Sequence, residues 1–499
     1  MNKFYITTTL PYSNGCTHVG HALEFVQGDF FTRYFEKEND VFFNLGLDEH
    51  GQKIFKAAQD AGIDTKEYLD KHYQQWLEFC NLFDIEYDNF YRTSDSEHHR
   101  KAQEVWEAFA KKGLIYKKKY QGQYCEGCES FKRDKDLEDN KCPDHPHLDI
   151  QIIEEENYFF KLSSFKNSLI INYLEQDETF YTEEQIEKLI NTKYLNKKPF
   201  QPFLFPISKK PELANLIDGI EDISISRLKN SVPWGVPVPG DEEQTIYVWF
   251  DALLNYIFSA NSSDDFKWSE FCEYPRNTKT IQICGPDNLR FQGLIFQALL
   301  HALDLAYTDK LLVHGTILDD QGRKIGKSLG NTIDPVQQLE KFGLEAIRYY
   351  ILSLSTFGNT NWDEDTIVKI YNAHLVNDYG NLIARTLHLI DQKEVEIVGP
   401  EDSFKEKVDA SLKQASEFIE DSYNIHDYCS KLNELVKSGN QYINEKEPWK
   451  QDDYAVSLNN LYYLLTEVTE YYSPIIPQKV EEVKTALSNL KKEILFARI

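Results

Sequence analysis

The sequence predicts a doubly wound α/β domain, split by an inserted module and followed by an all-α bundle. Three observations predict it. Short β-branched and aromatic runs alternate with helical spacings near the N-terminus and again after residue 231. A stretch over 117–230 breaks that rhythm with cysteines, charge and prolines. After Thr366 the apolar spacing becomes purely helical.

FYITTTL (4–10) reads as a buried strand closed by Pro11 and the turn pair Asn14-Gly15. A helix begins near His18 and carries Ala22, Phe25, Val26 and Phe30 on one stripe. VFFNLGL (41–47) is a second strand, and 52–61 a second helix. Strand-like runs return at TIYVWF (245–250), TIQICG (280–285) and LLVHG (311–315). Ile367, Ile370, Tyr371, Leu375, Leu382, Ile383 and Leu387 keep helical spacing, and three further helical stretches follow. The expected divisions are 1–116, first half of the α/β domain; 117–230, insertion; 231–315, second half; 316–365, a basic loop and its surroundings; and 366–499, helical bundle.

The chain has 499 residues, 41% hydrophobic and 14% aromatic, enough for several cores and too many for a disordered chain. No apolar run is long enough for a membrane span, and MNKFYITTTLPY lacks a secretory pattern, so a cytoplasmic protein without a membrane partner is expected. A net charge of −27 argues against non-specific coating of nucleic acid, while leaving room for local basic patches. Eight cysteines are too sparse for a disulfide scaffold.

Three constellations carry chemistry. The first is His18-Val19-Gly20-His21, at a strand–turn–helix junction where the helix N-terminus favours anions. Both imidazoles can donate to phosphate, and Gly20 leaves room for a flat ring against the backbone. Read alone, the same residues fit two half-exposed histidines on a surface helix equally well.

The second is Arg323-Lys324-Ile325-Gly326-Lys327-Ser328, after a strand and a polar turn. Two lysines three apart in a small loop suit closure over a polyphosphate; a solvated basic turn is the plainer reading. It is no P-loop: a Walker A motif needs glycine where Gln321 stands. No G-x-G-x-x-G follows the first strand either.

The third is Cys125-x2-Cys128-x13-Cys142-x2-His145, the spacing of a closed, structural zinc site, with His147 as an alternative fourth ligand. Its metal would contribute folding energy to a module with little apolar core.

HVGH after the first strand and KIGKS after a late one resemble the paired HIGH and KMSKS motifs of the class I aminoacyl-tRNA synthetases. LPYSNG (10–15), GLDEHG (46–51), ENYFFKLS (156–163) and VWFDALLNY (248–256) extend the resemblance to the single-zinc-knuckle methionyl-tRNA synthetase family over essentially the whole chain. The resemblance implies a Rossmann-like catalytic domain with a zinc-binding insertion and a C-terminal anticodon-binding bundle. It implies a methionine–tRNA ligase that forms methionyl-adenylate from methionine and ATP, with Mg2+, and transfers the methionyl group to tRNA(Met).

Site residues follow by match. His18, His21, Lys324 and Lys327 are the expected catalytic set. His18, Gly20, His21, Gly285, Asp287 and Lys327 would hold ATP. Leu10, Tyr12, Asp48, Trp249, Ala252, Tyr256, Asn288 and Gln292 would form the amino-acid pocket, with Asp48 on the substrate ammonium. Polarizable aromatic walls suit a thioether. Asn381, Arg385 and Trp449 would read the anticodon by stacking and hydrogen bonding. The absence of an appended oligonucleotide-binding module implies a monomer.

Three departures stand out. GPDNLRFQ (285–292) replaces the family's G-K-D-I-x-x-F-H, putting Pro286 for the lysine, Asn288 for an apolar residue and Gln292 for the pocket histidine. The loop reads Ile325-Gly326 in place of Met-Ser, and the only methionine is Met1. These departures raise two alternatives: a paralogue with an altered pocket, resistant to a methionine analogue or activating another amino acid, or an inactive tRNA-binding paralogue. The retained histidines and lysines favour an active ligase.

Overall fold

The first apolar run forms β1 (Lys3–Thr7), whose Phe4, Tyr5 and Ile6 are buried on alternating faces. A computed structural model of the chain describes residues 2–15, 17–125, 130–132, 137–143, 145–176, 203–260, 278–326, 330–451, 454–491 and 494–499. After β1 come α1 (Val19–Phe35), β2 (Asp40–Leu47), α2 (Gln52–Asp60), α3 (Thr65–Leu82), β3 (Asn89–Arg92) and α4 (Ser96–Lys111). Strands β4 (Ile115–Cys125), β5 (Ser130–Lys132), β6 (Lys141–Cys142), β7 (His145–Asp149) and β8 (Gln151–Phe160) follow. Then come β9 (Leu204–Phe205), β10 (Ile223–Ser224), β11 (Ser226–Leu228), β12 (Pro237–Val238), β13 (Asp241–Ile246), β14 (Thr278–Cys284) and β15 (Lys310–Val313).

Six strands form one parallel sheet in the order β3-β2-β1-β14-β15-β9. The order reverses between β1 and β14, so a crevice opens beyond the carboxyl ends of those two strands. Both faces of the sheet are covered, as parallel sheets require. Phe4, Ile6, Ile281, Ile283 and Leu312 point into one core, and Tyr5, Leu311 and Val313 into the other.

Two readings of the sequence change here. TIYVWF is not one strand: β13 ends at Ile246 and a helix runs Val248–Ala260, buried along nearly its whole length. A helix that is apolar all round shows no periodicity to separate it from a buried strand. Residues 204–205, read as part of the insertion, are the edge strand β9, paired with β15 at Leu311 and Leu312. The remainder of the insertion is built on β4, antiparallel to β8 and β5, and on the β6–β7 hairpin.

The chain beyond Glu364 is helical: a continuous run from Glu364 to Gln392 with a π-helical segment at Tyr371–Gly380, then Asp402–Glu420, Ile425–Lys446, Tyr454–Tyr472 and Pro477–Asn489. Four helices follow the first run where three were expected. Among the described residues, no helix is long and apolar enough to cross a membrane.

One sheet core continues into this bundle, joining Phe30 and Phe31 of α1 to Tyr423 and Tyr428. At that seam lies Arg348, fully buried in the helix Leu344–Ser353. Its Nη2 donates to Asp29 Oδ2 at 2.5 Å and its Nη1 to the Phe83 carbonyl at 2.9 Å. Nε donates to the Ile475 carbonyl at 3.0 Å, so one side chain ties α1, α3 and the bundle together. Arg348→Met leaves the Asp29 carboxylate to Arg33 and strands the buried carbonyls of Phe83, Pro474 and Ile475, and is expected to cost about 3–5 kcal/mol. Urea unfolding would show this as a large drop in midpoint; a midpoint within error of the parent would refute the linchpin role.

Candidate active site

His18 caps α1. Its Nδ1 accepts from the Gly20 amide at 3.1 Å, while its own amide donates to His21 Nδ1 at 3.2 Å. This is a capping box made of two imidazoles. With both Nδ1 atoms accepting, each neutral ring carries its proton on Nε2, the tautomer that can donate to an anion. The rings stack at 3.7 Å between centroids, and Trp76 braces His21 edge-on. A Cβ on Gly20 would come within 2.9 Å of the His18 ring. The glycine therefore admits the capping imidazole.

The basic loop reaches this helix end. The Val19 amide donates to the Ile333 carbonyl at 3.1 Å, immediately past the KIGKS segment. Asp319 folds the preceding turn, accepting from the Gln321 and Arg323 amides and from Asn331 Nδ2 at 2.9 Å. The Asn331 amide, then the Arg323 groups, hold the Asp319 carboxyl below the usual carboxylate range. Asn331 also accepts from the Gly326 amide at 3.0 Å, closing the loop on itself. Lys324 is ion-paired with Asp287, in the turn that follows β14 and Gly285. Histidines, loop and β14 end thus converge on the crevice; Lys327 lies outside the described residues.

Beneath them His314, after β15, donates from Nδ1 to the Gly315 carbonyl and turns Nε2 to Glu24 at 3.0 Å. Glu24 in turn accepts from the Thr9 amide and hydroxyl. This buried bridge from α1 to the ends of β1 and β15 was not read from the sequence.

Beside the crevice lies an aromatic cluster. Tyr12 and Asp48 pair as a short parallel bridge extending β1 and β2, and Asp48 is 2% exposed. Trp249 meets Tyr12 edge-on at 5.8 Å and stacks on Phe291 at 4.0 Å. Phe291 was missed because a lone aromatic in a mixed segment has no signature. Ala252 and Tyr256 continue the Trp249 helix, and Leu10 packs on the same core. Gln292 Nε2 donates to the Tyr256 oxygen at 2.8 Å. Asn288, half-buried in the turn Pro286–Asn288, is anchored by its amide to the Gly285 carbonyl.

The two pocket walls are joined from behind. Asp251 Oδ2, on the Trp249 helix, accepts from His50 Nδ1 at 2.5 Å, and the His50 amide donates to Asp48 Oδ1 at 3.4 Å. His50 Nε2 meets His99 Nε2 at 3.0 Å, and Tyr91 reaches His98 Nδ1 at 3.1 Å. Burial would raise the Asp251 carboxyl, but the His50 and His98 imidazoles bring it below its ordinary value. Burial foremost lowers His98, and burial with His50 pushes His99 down to about 4. Among the described residues no cluster fit to hold a metal is present, and these histidines are structural partners of Asp251.

In the insertion, Cys125 ends β4 and Cys142 sits on β6, both fully buried. Cys142 pairs in register with His145, and β7 lies against β4. Cys128 and the side chain of His145 lie outside the described residues. In the bundle, Arg385 lies 5.7 Å over the Trp449 ring and donates to Asn444 at 2.7 Å. Asn381 is exposed one turn before Arg385.

The family description "tRNA synthetases class I (M)" matches residues 4–387. A methionine–tRNA ligase of Clostridium acetobutylicum is 34% identical, over 97% of this chain and 73% of its own length. One from Thermosynechococcus vestitus is 32% identical, over 96% of this chain and 89% of its own. Methionyl-tRNA synthetase of Mycobacterium tuberculosis in complex with methionyl-adenylate superposes with a TM-score of 0.84 at 25% identity, covering 97% of this chain and 93% of that one.

The histidine cluster makes stability pH-dependent. In the unfolded chain His98 and His99 titrate near ~6.5, whereas in the fold they resist protonation, His99 down to about 4. Between those values the unfolded state binds more protons, so the stability present above pH ~6.5 is lost as pH falls toward 4. The melting temperature should decline across that window, and His99→Gln should flatten the decline. An unchanged slope in the variant would contradict the assignment.

Proposed function

The chain belongs to the methionine family of class I tRNA synthetases, and from that membership we propose that the crevice between β1 and β14 activates methionine with ATP and charges tRNA(Met). The single observation that carries the reading is the convergence of the His18–His21 cap and the KIGKS loop on one helix N-terminus, through the Val19–Ile333 hydrogen bond.

The methionine carboxylate oxygen attacks the α-phosphorus of Mg-ATP; the bond to the β-phosphate bridging oxygen breaks, and pyrophosphate leaves. His18 and His21 donate from Nε2 to phosphate oxygens at the positive end of α1. Lys324 leaves Asp287 to meet the phosphates, joined by Lys327 from the same loop. Asp287 then serves the ribose together with Gly285. The buried Asp48 takes the substrate ammonium, and Tyr12, Trp249, Ala252, Tyr256 and Leu10 enclose the side chain. Gln292 reaches that pocket through Tyr256, and Asn288 borders it from the adjacent turn. In the second step the terminal ribose hydroxyl of tRNA attacks the adenylate carbonyl and AMP departs. Neither step uses a protein nucleophile, so catalysis is positioning and charge stabilisation.

Asn381, Arg385 and Trp449 read the anticodon, with Trp449 41% exposed as a stacking platform beside the Arg385 guanidinium. Cys125, Cys128, Cys142 and His145 would hold one structural zinc in the insertion. Two fully buried thiols, one ending β4 and one on β6, whose partner strand β7 lies against β4, fit that role, because bound zinc would supply folding energy where apolar core is scarce. The working form is a cytoplasmic monomer.

Pyrophosphate exchange across a panel of amino acids tests the assignment. Methionine should support it, and replacing Lys324 and Lys327 by alanine should lower kcat at least about 100-fold with little change in KM for methionine. Exchange that survives the double variant, or that needs a different amino acid, would overturn it. For the zinc, metal analysis should find one ion per chain, and Cys125→Ser should lose it along with several degrees of melting temperature. Full zinc content in that variant would exclude Cys125 as a ligand.

A further inference from the structure

Behind Tyr256 lies a buried chain of polar side chains that the proposed reaction does not use. Gln282 on β14, Gln292, Gln297 and Thr308 are 2%, 3%, 0% and 0% exposed, and Tyr256 is 2% exposed. A buried amide can present either end, so the direction of such a chain must come from groups that cannot turn. Two backbone groups supply it. The Thr308 amide can only donate, and gives its hydrogen to Gln297 Oε1 at 3.1 Å. The Gln292 carbonyl can only accept, and takes Gln297 Nε2 at 2.9 Å.

The rest follows in one sense. Gln297 Nε2 sends its second hydrogen to Thr308 Oγ1 at 2.9 Å. That hydroxyl then donates to Gln282 Oε1 at 2.8 Å, and Gln282 Nε2 to Gln292 Oε1 at 2.9 Å. Gln292 Nε2 donates to the Tyr256 oxygen at 2.8 Å. The Tyr256 oxygen is therefore an acceptor on its protein side, and among the described residues no acceptor is paired with its O–H. Burial holds the phenol far above its ordinary titration range, so the O–H persists as a donor.

We propose that Gln282, Gln297 and Thr308 are positioning residues for amino-acid selection: they fix the sense of the Gln292 amide, and thereby make the Tyr256 hydroxyl a hydrogen-bond donor to the thioether sulfur of the bound substrate. The inference rests on Tyr256 lining the methionine pocket. A thioether is a weak acceptor, and the methylene that replaces it in norleucine is none. The directed O–H thus favours methionine over an isostere of almost the same shape, which an apolar wall could hardly separate.

The test compares kcat/KM in pyrophosphate exchange for methionine and for norleucine. Thr308→Val removes the 2.8 Å donor that orients Gln282 and leaves only the long 3.5 Å contact from Gln297 Nε2 to its Oε1. Gln282→Glu leaves Gln292 facing an acceptor, so its amide turns over and Tyr256 donates back to Gln292. In both variants the methionine-to-norleucine ratio should fall about two- to ten-fold, through the methionine value, while Thr308→Ser restores it. Loss that is equal for both substrates, with the ratio unchanged in either folded variant, would overturn the proposal. Absence of methionine-dependent exchange in the unaltered protein would instead overturn the site reading beneath it.

Discussion

The hydrogen bond from the Val19 amide to the Ile333 carbonyl, at 3.1 Å, is the contact on which the arrangement of the candidate site depends. It joins the first turn of α1 to the residue just past the basic loop, and so brings together segments from opposite ends of the catalytic region. It can form because β1 and β14 are neighbours at the point where the strand order turns from descending to ascending. Reversal leaves the ends of both strands without a covering connection, and α1, the Pro286–Asn288 turn and the loop border that gap. The charge pattern is set by the same geometry: a helix N-terminus, two donor-tautomer imidazoles and Lys324 face one space, with Asp287 as the loop lysine's resting partner.

The adjoining pocket has an apolar lining supported by polar groups in its walls. A buried polar network is costly unless every member is satisfied, and a satisfied one fixes geometry more sharply than apolar packing does. Here there are two. The Asp251–His50 contact ties the Trp249 helix to the loop that carries Asp48, so the aromatic wall and Asp48 are held together. The glutamine chain does the same for Tyr256, anchoring it to β14 and to the turn before β15. Gln292, which departs from the family pattern, is thus not a stray polar group in an apolar wall. Its carbonyl oxygen, side-chain oxygen and amide all have partners.

Much of this was legible in the sequence, and the limits have physical causes. β1, β2, β14 and β15 stand out because parallel strands buried on both faces read as continuous apolar runs. His18, His21, Lys324 and the Cys125–Cys142 spacing stand out because their chemistry requires fixed local separations. The Val248–Ala260 helix hid its start, since Val248, Trp249 and Phe250 suit a strand equally well. β9 has only two residues, too few for any pattern. Phe291, Asp251, Glu24 and His314 were missed for a common reason: each acts through a partner far away in sequence, and pairings of that kind leave no local trace.

The helical run from Glu364 to Gln392 links the catalytic end to the bundle. Glu364, at its start, accepts from Gln338 and Lys341 on the helix that follows Ile333. Arg385 lies some 30 Å further along the axis at about 1.5 Å per residue, beside Trp449. The buried Arg348–Asp29 pair and the shared core clamp the bundle to α1, so this separation is a rigid spacing and not a hinge. A small ligand cannot touch both ends of such a spacer. A partner that engages the crevice and the Arg385–Trp449 platform together must be an extended polymer that offers a reactive end to one and unstacked bases to the other, and a tRNA has both features on one molecule.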